Sequence, residues 1–475
     1  MQWLQRLVGV AILGTATLGA LVLWLAVAAG DPERAERPTE GLLFGIWQIA
    51  YDTVMPSTRT LMAAAGVALL LAAAVAAVER RLLNNARRSE SPDRMPLAPK
   101  LVMAETRGVY AGPVTITVLI PAHNEESCIS ETLASLLSQS LPPARVVVVA
   151  DNCTDATVRL AREAGVDVFE TVDNTHKKAG GLNQALSQLL SGQGDNDCVM
   201  VMDADTQLDA GFLAAAARRL TDDRALMAVG GLFYGEDGAG LIGQFQRNEY
   251  TRYQRDLRRR RGRVFVLTGT ASVFRPRALR AVADERGRNL PGIPGDVYDT
   301  VALTEDNELT IALKSLGALM ISPSDCTVVT EVMPTWRALW AQRLRWQRGA
   351  LENLGAYGLR PQTFRYWAQQ LGIGYGVIAL ASYLLLMVLM TLATATWVWF
   401  PFWISIGLVF TVERIVTVWR GGSKARLLGL SLFPELFYAM FLNVVFVKGI
   451  WDLSLARQAT WKHIVQTDHG MRMEK

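Results

Sequence analysis

Between Tyr366 and Val412 the chain runs for 47 residues without a single charged side chain. An aqueous domain has no place for so long an uncharged stretch. It matches two bilayer crossings, because about 20 apolar residues traverse a ~30 Å hydrocarbon core. In lipid the backbone must satisfy its own hydrogen bonds, so each crossing has to be helical. Helices are therefore predicted over about 370–396 and 400–419, with the turn near Pro401. Two more apolar runs, about 7–29 and 59–79, lie in the first hundred residues. A fifth, 427–448, reads as a span or a re-entrant segment, because Pro434 and Glu435 interrupt it. The stretch 41–51 is too short to cross. Ala26-Val27-Ala28 has the small-residue pattern of a signal-peptidase site, although the run before it exceeds a usual signal core of about 7–15 residues; cleavage there would leave the topology to the second span.

Basic residues orient such spans. Arg80, Arg81, Arg87, Arg88, Arg94 and Lys100 follow the second run, and Arg420, Lys424 and Arg426 follow the fourth. The 31–58 connection is acid-weighted instead, with Asp31, Glu33, Glu36, Glu40 and Asp52 against Arg34 and Arg37. The middle of the chain is thus expected on the cytosolic side of an inner cell membrane. This gives a domain plan: a membrane region over 1–100, a cytosolic domain over 101–333, amphipathic interface helices over 334–365 and a second membrane region over 366–475. A chain that is 51% hydrophobic and 19% charged is neither disordered nor collagen-like. Its four cysteines, Cys128, Cys153, Cys198 and Cys326, fit no metal spacing and read as reduced thiols. A net charge of +4 is too mild for a nucleic-acid binder. The one basic run, Arg252–Arg263, reads as a helix near anionic lipid, where each charge is worth about 1 kcal/mol.

Inside the cytosolic region, β-rich runs alternate with helical ones: strands over 114–120, 145–150, 166–171 and 198–202, and helices over 129–138, 156–164 and 182–190. Short apolar strands closed by helices predict an α/β fold with a parallel sheet covered on both faces. Ligands of such sheets bind beyond the carboxyl ends of the strands. Polar clusters stand at those ends: Pro121-Ala122-His123-Asn124-Glu125-Glu126, Asp151-Asn152-Cys153-Thr154-Asp155 and Asp203-Ala204-Asp205. One such cluster alone is explained by helix capping and turns; three at successive strand ends of one sheet are not. Asp203 and Asp205, two apart on an extended strand, would point the same way. Two carboxylates together with waters and phosphate oxygens are how Mg²⁺ or Mn²⁺ is held, and that cation would neutralise a diphosphate leaving group.

PAHNEE, VVVVADNCTD, KAGGLN (Lys178–Asn183), DADT, TGTASVFR (Thr268–Arg275), TED (Thr304–Asp306) and QRLRW (Gln342–Trp346) follow one another in this order. In this the chain resembles the membrane-embedded family-2 glycosyltransferases, the group of cellulose, hyaluronan, chitin and poly-N-acetylglucosamine synthases. The resemblance covers about 113–350 closely and the flanking runs in arrangement only. It implies a GT-A, Rossmann-like nucleotide-sugar domain inserted between transmembrane helices. It further implies that Pro121, Glu125 and Asp151 line a uridine pocket and that Lys178 helps to hold the nucleotide. Asp203 and Asp205 would take the ribose, diphosphate and metal. Asp306, with Glu305 beside it, would be catalytic, Asp306 as the base on the acceptor hydroxyl. Gln342, Arg345 and Trp346 would close over the diphosphate and the acceptor sugar. His123 departs from the family, which often has Tyr or Phe there.

An inverting transfer needs one base and one stabilised leaving group; a positioned carboxylate supplies about 10²–10⁴-fold as the base. Charge and positioning must supply the rest. Thr304 could also cap a helix beginning at Glu305, with both acids complementing its dipole. Trp346, Arg343, Arg345 and Arg348 fall on an amphipathic helix predicted over 336–354, which suits a membrane surface and equally a sugar ring stacked on Trp346. The expected activity is β-linked polymerisation from a UDP-sugar and export of the chain, with membrane lipids around it, room for export partner subunits and no nucleic acid. The rivals are transfer of one sugar to a lipid-linked acceptor, and a transporter or receptor with a degenerate nucleotide-binding domain.

Overall fold

The computed structural model describes residues 113–393 apart from 224, 260, 261 and 263, and residues 411–455 and 457. It also gives three isolated helical positions between 63 and 70, and the backbone of 38–43, 47–52, 463–467 and 470–474. The predicted helix over 7–29, most of those over 59–79 and 400–419, and the Ala26-Val27-Ala28 site lie outside the described residues. The chain divides into two units, one of residues 1–97 with 378–401, the other of 98–377 with 402–475.

In the first unit, β1 (Pro38–Leu43) and β2 (Trp47–Asp52) pair antiparallel as a hairpin. The second unit holds the α/β domain. Its strands are β3 (Thr115–Ala122), β4 (Arg145–Ala150), β5 (Asp167–Glu170), β6 (Asp197–Met202), β7 (Thr206–Leu208), β8 (Leu226–Gly230), β9 (Leu232–Gly235), β10 (Ala271–Phe274), β11 (Leu319–Ile321) and β12 (Thr327–Thr330). Between them run the helices α1 (Ile129–Leu137), α2 (Thr157–Glu163), α3 (Lys177–Leu189), α4 (Phe212–Asp222), α5 (Gly240–Arg259), α6 (Pro276–Glu285) and α7 (Glu305–Ser315). Then follow α8 (Trp336–Tyr357), α9 (Phe364–Ala393), α10 (Gly422–Leu430) and α11 (Leu432–Ser454), and a last hairpin of β13 (His463–Thr467) and β14 (Gly470–Glu474).

Seven strands form the central sheet in the order β11-β8-β10-β6-β3-β4-β5. The uninterrupted apolar strands follow from a sheet covered on both sides. Val147, Val149, Val199 and Val201 enter one buried cluster, and their neighbours Val146, Val148, Cys198 and Met200 enter the other. Full burial stabilises each such side chain by roughly 1.5–3 kcal/mol. The sheet is mixed rather than parallel: β10 runs antiparallel to both β6 and β8. Its four residues are too short to announce a direction, which contacts with neighbours decide. From β3 the chain steps outward through β4 to β5 and then returns to β6 on the other side of β3. The crevice of this fold therefore opens between β3 and β6. A smaller sheet, β7-β12-β9, lies beside it in sequence and carries Thr330 to the same end.

Helix α3 starts at Lys177, five residues before the predicted helix. The glycines of KAGGLN hide the helical pattern: a Cβ on Gly180 would fall 2.1 Å from Asn174 Oδ1, so the helix packs through them. The arginine run on α5 is not a plain lipid-facing surface. Arg252 donates to Glu435 of α11 at 2.7 Å and Arg258 to the hydroxyl of Tyr234 at 2.7 Å. The break expected at Pro434 falls at Ser431, and Pro434 sits in the first turn of α11, where a missing N–H costs no hydrogen bond. Among the described residues one helix, Leu432–Ser454, is long and apolar enough to cross a membrane.

Candidate active site

Each strand of the crevice delivers a side chain as it ends. After β3, His123 meets the carbonyl of Asp151 through Nδ1 at 2.6 Å. Asn124 takes a left-handed backbone (φ 57°), which asparagine tolerates better than most residues, and its Oδ1 accepts the Thr154 N–H at 2.8 Å. These bonds lock the ends of β3 and β4 together. Asp151 continues the β4 ladder, donating its N–H to Ala122 at 2.9 Å. Its Oδ1 accepts from Asn174 Nδ2 at 2.7 Å, Thr171 Oγ1 at 2.9 Å and Asn152 Nδ2 at 3.1 Å.

Asp203 and Asp205 stand in the turn after β6 rather than on an extended strand. Their convergence follows from the turn and from β10. Because β10 is antiparallel, the segment before it returns to the end of β6, and Asp203 donates its N–H to the Thr270 carbonyl at 3.3 Å. Lys178 Nζ bridges Asp203 Oδ1 at 2.6 Å and Glu305 Oε1 at 2.7 Å. Burial alone would lower the pKa of Lys178, but the two carboxylates outweigh it and hold it well above its ordinary value. The same lysine keeps Glu305 ionised against its burial. Lys178 is thus committed to two acids, which it draws together.

Asp306 occupies the first turn of α7. Its Oδ2 accepts the Gly269 N–H at 3.1 Å and its Oδ1 the Asn307 N–H at 2.7 Å. Burial, then the neighbouring charge of Glu305, pushes its pKa to about 6. Thr304 precedes the helix without capping it through its side chain; its Oγ1 accepts instead from Asn353 of α8 at 3.2 Å. That bond joins the TED turn to the QRLRW helix.

One cavity of about 430 Å³ takes in Pro121, Glu125, Asp151, Lys178, Asp203, Asp205, Glu305, Asp306, Gln342, Arg345 and Trp346. Every residue that the sequence reading gives a binding or catalytic role lines it, whereas Asn124, Glu126, Cys153, Thr154 and Asp155 of the strand-end clusters do not. Glu331, Tyr250 and Phe233, which the sequence reading passed over, line it as well. Glu331 follows β12 directly, repeating the acid-after-strand pattern seen at β4 and β6, and that signal could have found it. Burial raises Glu125 to about 7, partly offset by the hydrogen bond from Cys128 Sγ at 3.3 Å. Burial and then the charge of Asp205 bring Glu331 to about 7, and burial and then Asp203 bring Asp205 to about 6. The cavity carries more acid than its lysines and arginine balance.

Among the described residues no group of three or more His, Cys, Asp or Glu side chains is placed to hold a metal alone. Asp203 and Asp205 still fit a hard divalent cation as part of a ligand set. Both offer only carboxylate oxygens, and Asp205 is a half-buried acid whose charge its surroundings oppose. The remaining ligands would have to be substrate oxygens and water.

A family model described as glycosyltransferase-like family 2 matches residues 113–349. A probable glycosyltransferase of Bacillus subtilis is 30% identical over 244 residues, 49% of this chain and 54% of that protein. Poly-beta-1,6-N-acetyl-D-glucosamine synthase of Staphylococcus aureus is 26% identical over 246 residues, 50% of this chain and 55% of the relative. The chain thus spans about half the length of the curated relatives it matches. A mannosyltransferase of Pyrobaculum calidifontis, solved with GDP-Man and Mn²⁺, is 17% identical over 82% of this chain and 99% of its own, with a TM-score of 0.46. The α/β fold with its central mixed sheet is of the GT-A, Rossmann-like type. Through residues 113–349, about half its length, this chain belongs to the glycosyltransferase-like family 2.

Proposed function

We propose that the protein is a membrane-bound inverting glycosyltransferase that polymerises sugars from a UDP-sugar into an exported β-linked polysaccharide. The observation that carries this reading is the single cavity that joins the three strand-end acids, the TED turn and QRLRW. Its volume is that of a small-molecule site.

Donor recognition falls to the β3–β4 end. Three side-chain donors converge on Asp151 Oδ1. They leave Oδ2 for one base N–H, as uracil N3 presents; guanine offers two adjacent donors, which ask for both oxygens. Pro121 and Glu125 line the same end, Arg345 and Gln342 would face the diphosphate, and Lys178 would help to hold the nucleotide through Asp203, which it pairs with. Asp203 and Asp205 would hold Mg²⁺ or Mn²⁺, which supplies charge neutralisation to the diphosphate as it leaves.

Asp306 takes the proton of the acceptor hydroxyl as that oxygen attacks the anomeric carbon and the bond to the diphosphate breaks. Two backbone N–H groups fix both of its oxygens, so it need not reorganise during the step. Glu305 holds Lys178 in place and keeps the α7 turn negative. Trp346, 37% exposed, offers a ring face to the acceptor sugar.

Membrane attachment is supported by α11. Phe433, Phe437, Met440, Val444, Val447 and Trp451 recur at steps of three and four residues, all 40–84% exposed, as one apolar stripe. With it the proposal keeps the domain plan read from the sequence: membrane regions over 1–100 and 366–475 flanking a cytosolic domain of 101–333 and helices of 334–365, in the inner cell membrane. The test is incubation of the purified full chain with a panel of UDP-sugars and Mg²⁺ or Mn²⁺, followed by sizing of the product. A ladder or high polymer is expected. A single-sized lipid-linked product would replace polymerisation by single transfer, and absence of UDP release would overturn the enzyme reading.

A further inference from the structure

Helix α8 sends Gln342, Arg345 and Trp346 to the cavity and keeps one cation behind them. Arg343 is 5% exposed. Its Nη2 donates to Glu249 Oε2 at 3.0 Å and its Nη1 to Gln342 Oε1 at 3.1 Å. Its guanidinium carbon lies 4.3 Å from the ring centroid of Trp346 and 5.7 Å from that of Tyr250. One buried side chain therefore touches three lining residues of the cavity. Glu249, on α5, shares the same Oε2 with the hydroxyl of Tyr438 on α11, at 2.6 Å. The Tyr438 ring stacks on Phe245, with centroids 4.9 Å apart and planes 1° from parallel.

Stability does not require this arrangement. Its ion pair with Glu249, whose side chain is 34% exposed, gives little net stabilisation, because one partner is screened by solvent and the other has lost its hydration. Nε of Arg343 is also buried without a hydrogen-bond partner among the described residues, so the charge is held at a cost. What the guanidinium does provide is geometry. Its fork holds the Gln342 amide, and its charge sits over the Trp346 ring, 4.3 Å from the centroid, which restrains the indole.

We infer that Arg343 is a positioning residue for the acceptor wall, and that Glu249 and Tyr438 tie that wall to helix α11. Seating α11 then sets how well Trp346 receives the acceptor, while the hydrogen bonds that hold Asp151 come from Asn152, Thr171 and Asn174 and not from this chain of contacts. The inference rests on the reading of Trp346 as the acceptor platform.

The experiment uses the full chain with UDP-N-acetylglucosamine and a β-1,6-linked N-acetylglucosamine tetramer as acceptor, or the matching pair if the donor panel selects another sugar. Tyr438→Phe removes one hydroxyl and keeps the stacked ring, so it should fold. It is expected to raise the acceptor KM on the order of tenfold with the donor KM within about twofold of the parent. Arg343→Lys should raise the acceptor KM at least as much, and the double variant should add nothing to Arg343→Lys alone, since both act through one contact chain. An unchanged acceptor KM in Tyr438→Phe and Arg343→Lys, or donor and acceptor KM rising together in Tyr438→Phe, overturns the inference. Trp346→Ala separates the two failures. If it leaves the acceptor KM unchanged, the platform reading itself is wrong; if it raises that KM while Tyr438→Phe and Arg343→Lys do not, only the role of Arg343 falls.

Discussion

Asp306 is held by main-chain groups rather than side chains, which makes its role separable from its surroundings. Asp306→Asn keeps the shape and removes the base, so transfer should fall by about 10²–10⁴-fold while UDP still binds, measured by turnover beside calorimetry. The base must be ionised to act. With its pKa at about 6, the acid limb of kcat/KM for the enzyme before donor binds should rise through about pH 6 and flatten above it. A pH profile without that limb would place the proton elsewhere. Gly269 is the other single residue on which the site turns. A Cβ there would meet Asp203 Oδ2 and Lys178 Nζ, each at 3.1 Å. Gly269→Ala should push the Lys178–Asp203 pair aside and lower kcat with little change in melting temperature. At this scale much was legible: Asp151, Asp203 and Asp205 stand out as polar residues where apolar runs stop, and Asp306 stands in the TED motif that the family resemblance marks. Tyr250 did not, and Arg343, read as one charge of an amphipathic surface helix, proves buried, because a tyrosine or arginine inside a helix carries no local sign of the neighbour it will meet.

Among the elements, α7 and α8 decide whether the TED turn and QRLRW face one another. They cross where Gly349 of α8 lies against Thr304. A Cβ at Gly349 would stand 2.5 Å from Thr304 Oγ1 and 2.7 Å from its Cγ2, and Asn353, one turn further on the same helix face, donates to that threonine. Gly349→Ala should therefore overpack the crossing, cost about 1–3 kcal/mol and displace Asp306. Thermal unfolding and turnover should fall together, unlike the Gly269 case. The strand and helix positions of 113–202, and the helix over 336–354, were readable to within a few residues where periodicity was clean, while the strands between 206 and 330 were not read. Helix α3 was read short because two packing glycines look like breakers, and β10 was missed because four residues in a polar surrounding do not declare an antiparallel direction. The turn geometry of Asp203-Ala204-Asp205 was hidden for a related reason: residues just past a strand end have no period.

Taken whole, the molecule gathers acids that oppose one another in a partly closed cavity. Glu125 and Glu331 sit at about 7, and Asp205 and Asp306 at about 6, all above the ordinary carboxylate range. Raised carboxylate pKa values mean that the folded state binds more protons than the unfolded chain. Their contribution to stability is present at low pH and is lost as pH rises from about 4 to about 7. Glu331→Gln should flatten that slope in ligand-free protein, read as melting temperature against pH. Mg²⁺ or Mn²⁺ should raise the melting temperature more at pH 7.5 than at pH 5.5, and an equal shift at both would argue against a cation held by Asp203 and Asp205. The sequence by itself determined the α/β alternation, the acids at the strand ends and the apolar runs, because periodicity and local charge are properties of neighbours along the chain. Tertiary structure alone decided the antiparallel β10, the pairing of Lys178 with both Asp203 and Glu305, and the Arg343–Glu249–Tyr438 link. Those depend on which distant segments share a few ångströms of space, and the burial that follows sets their charges.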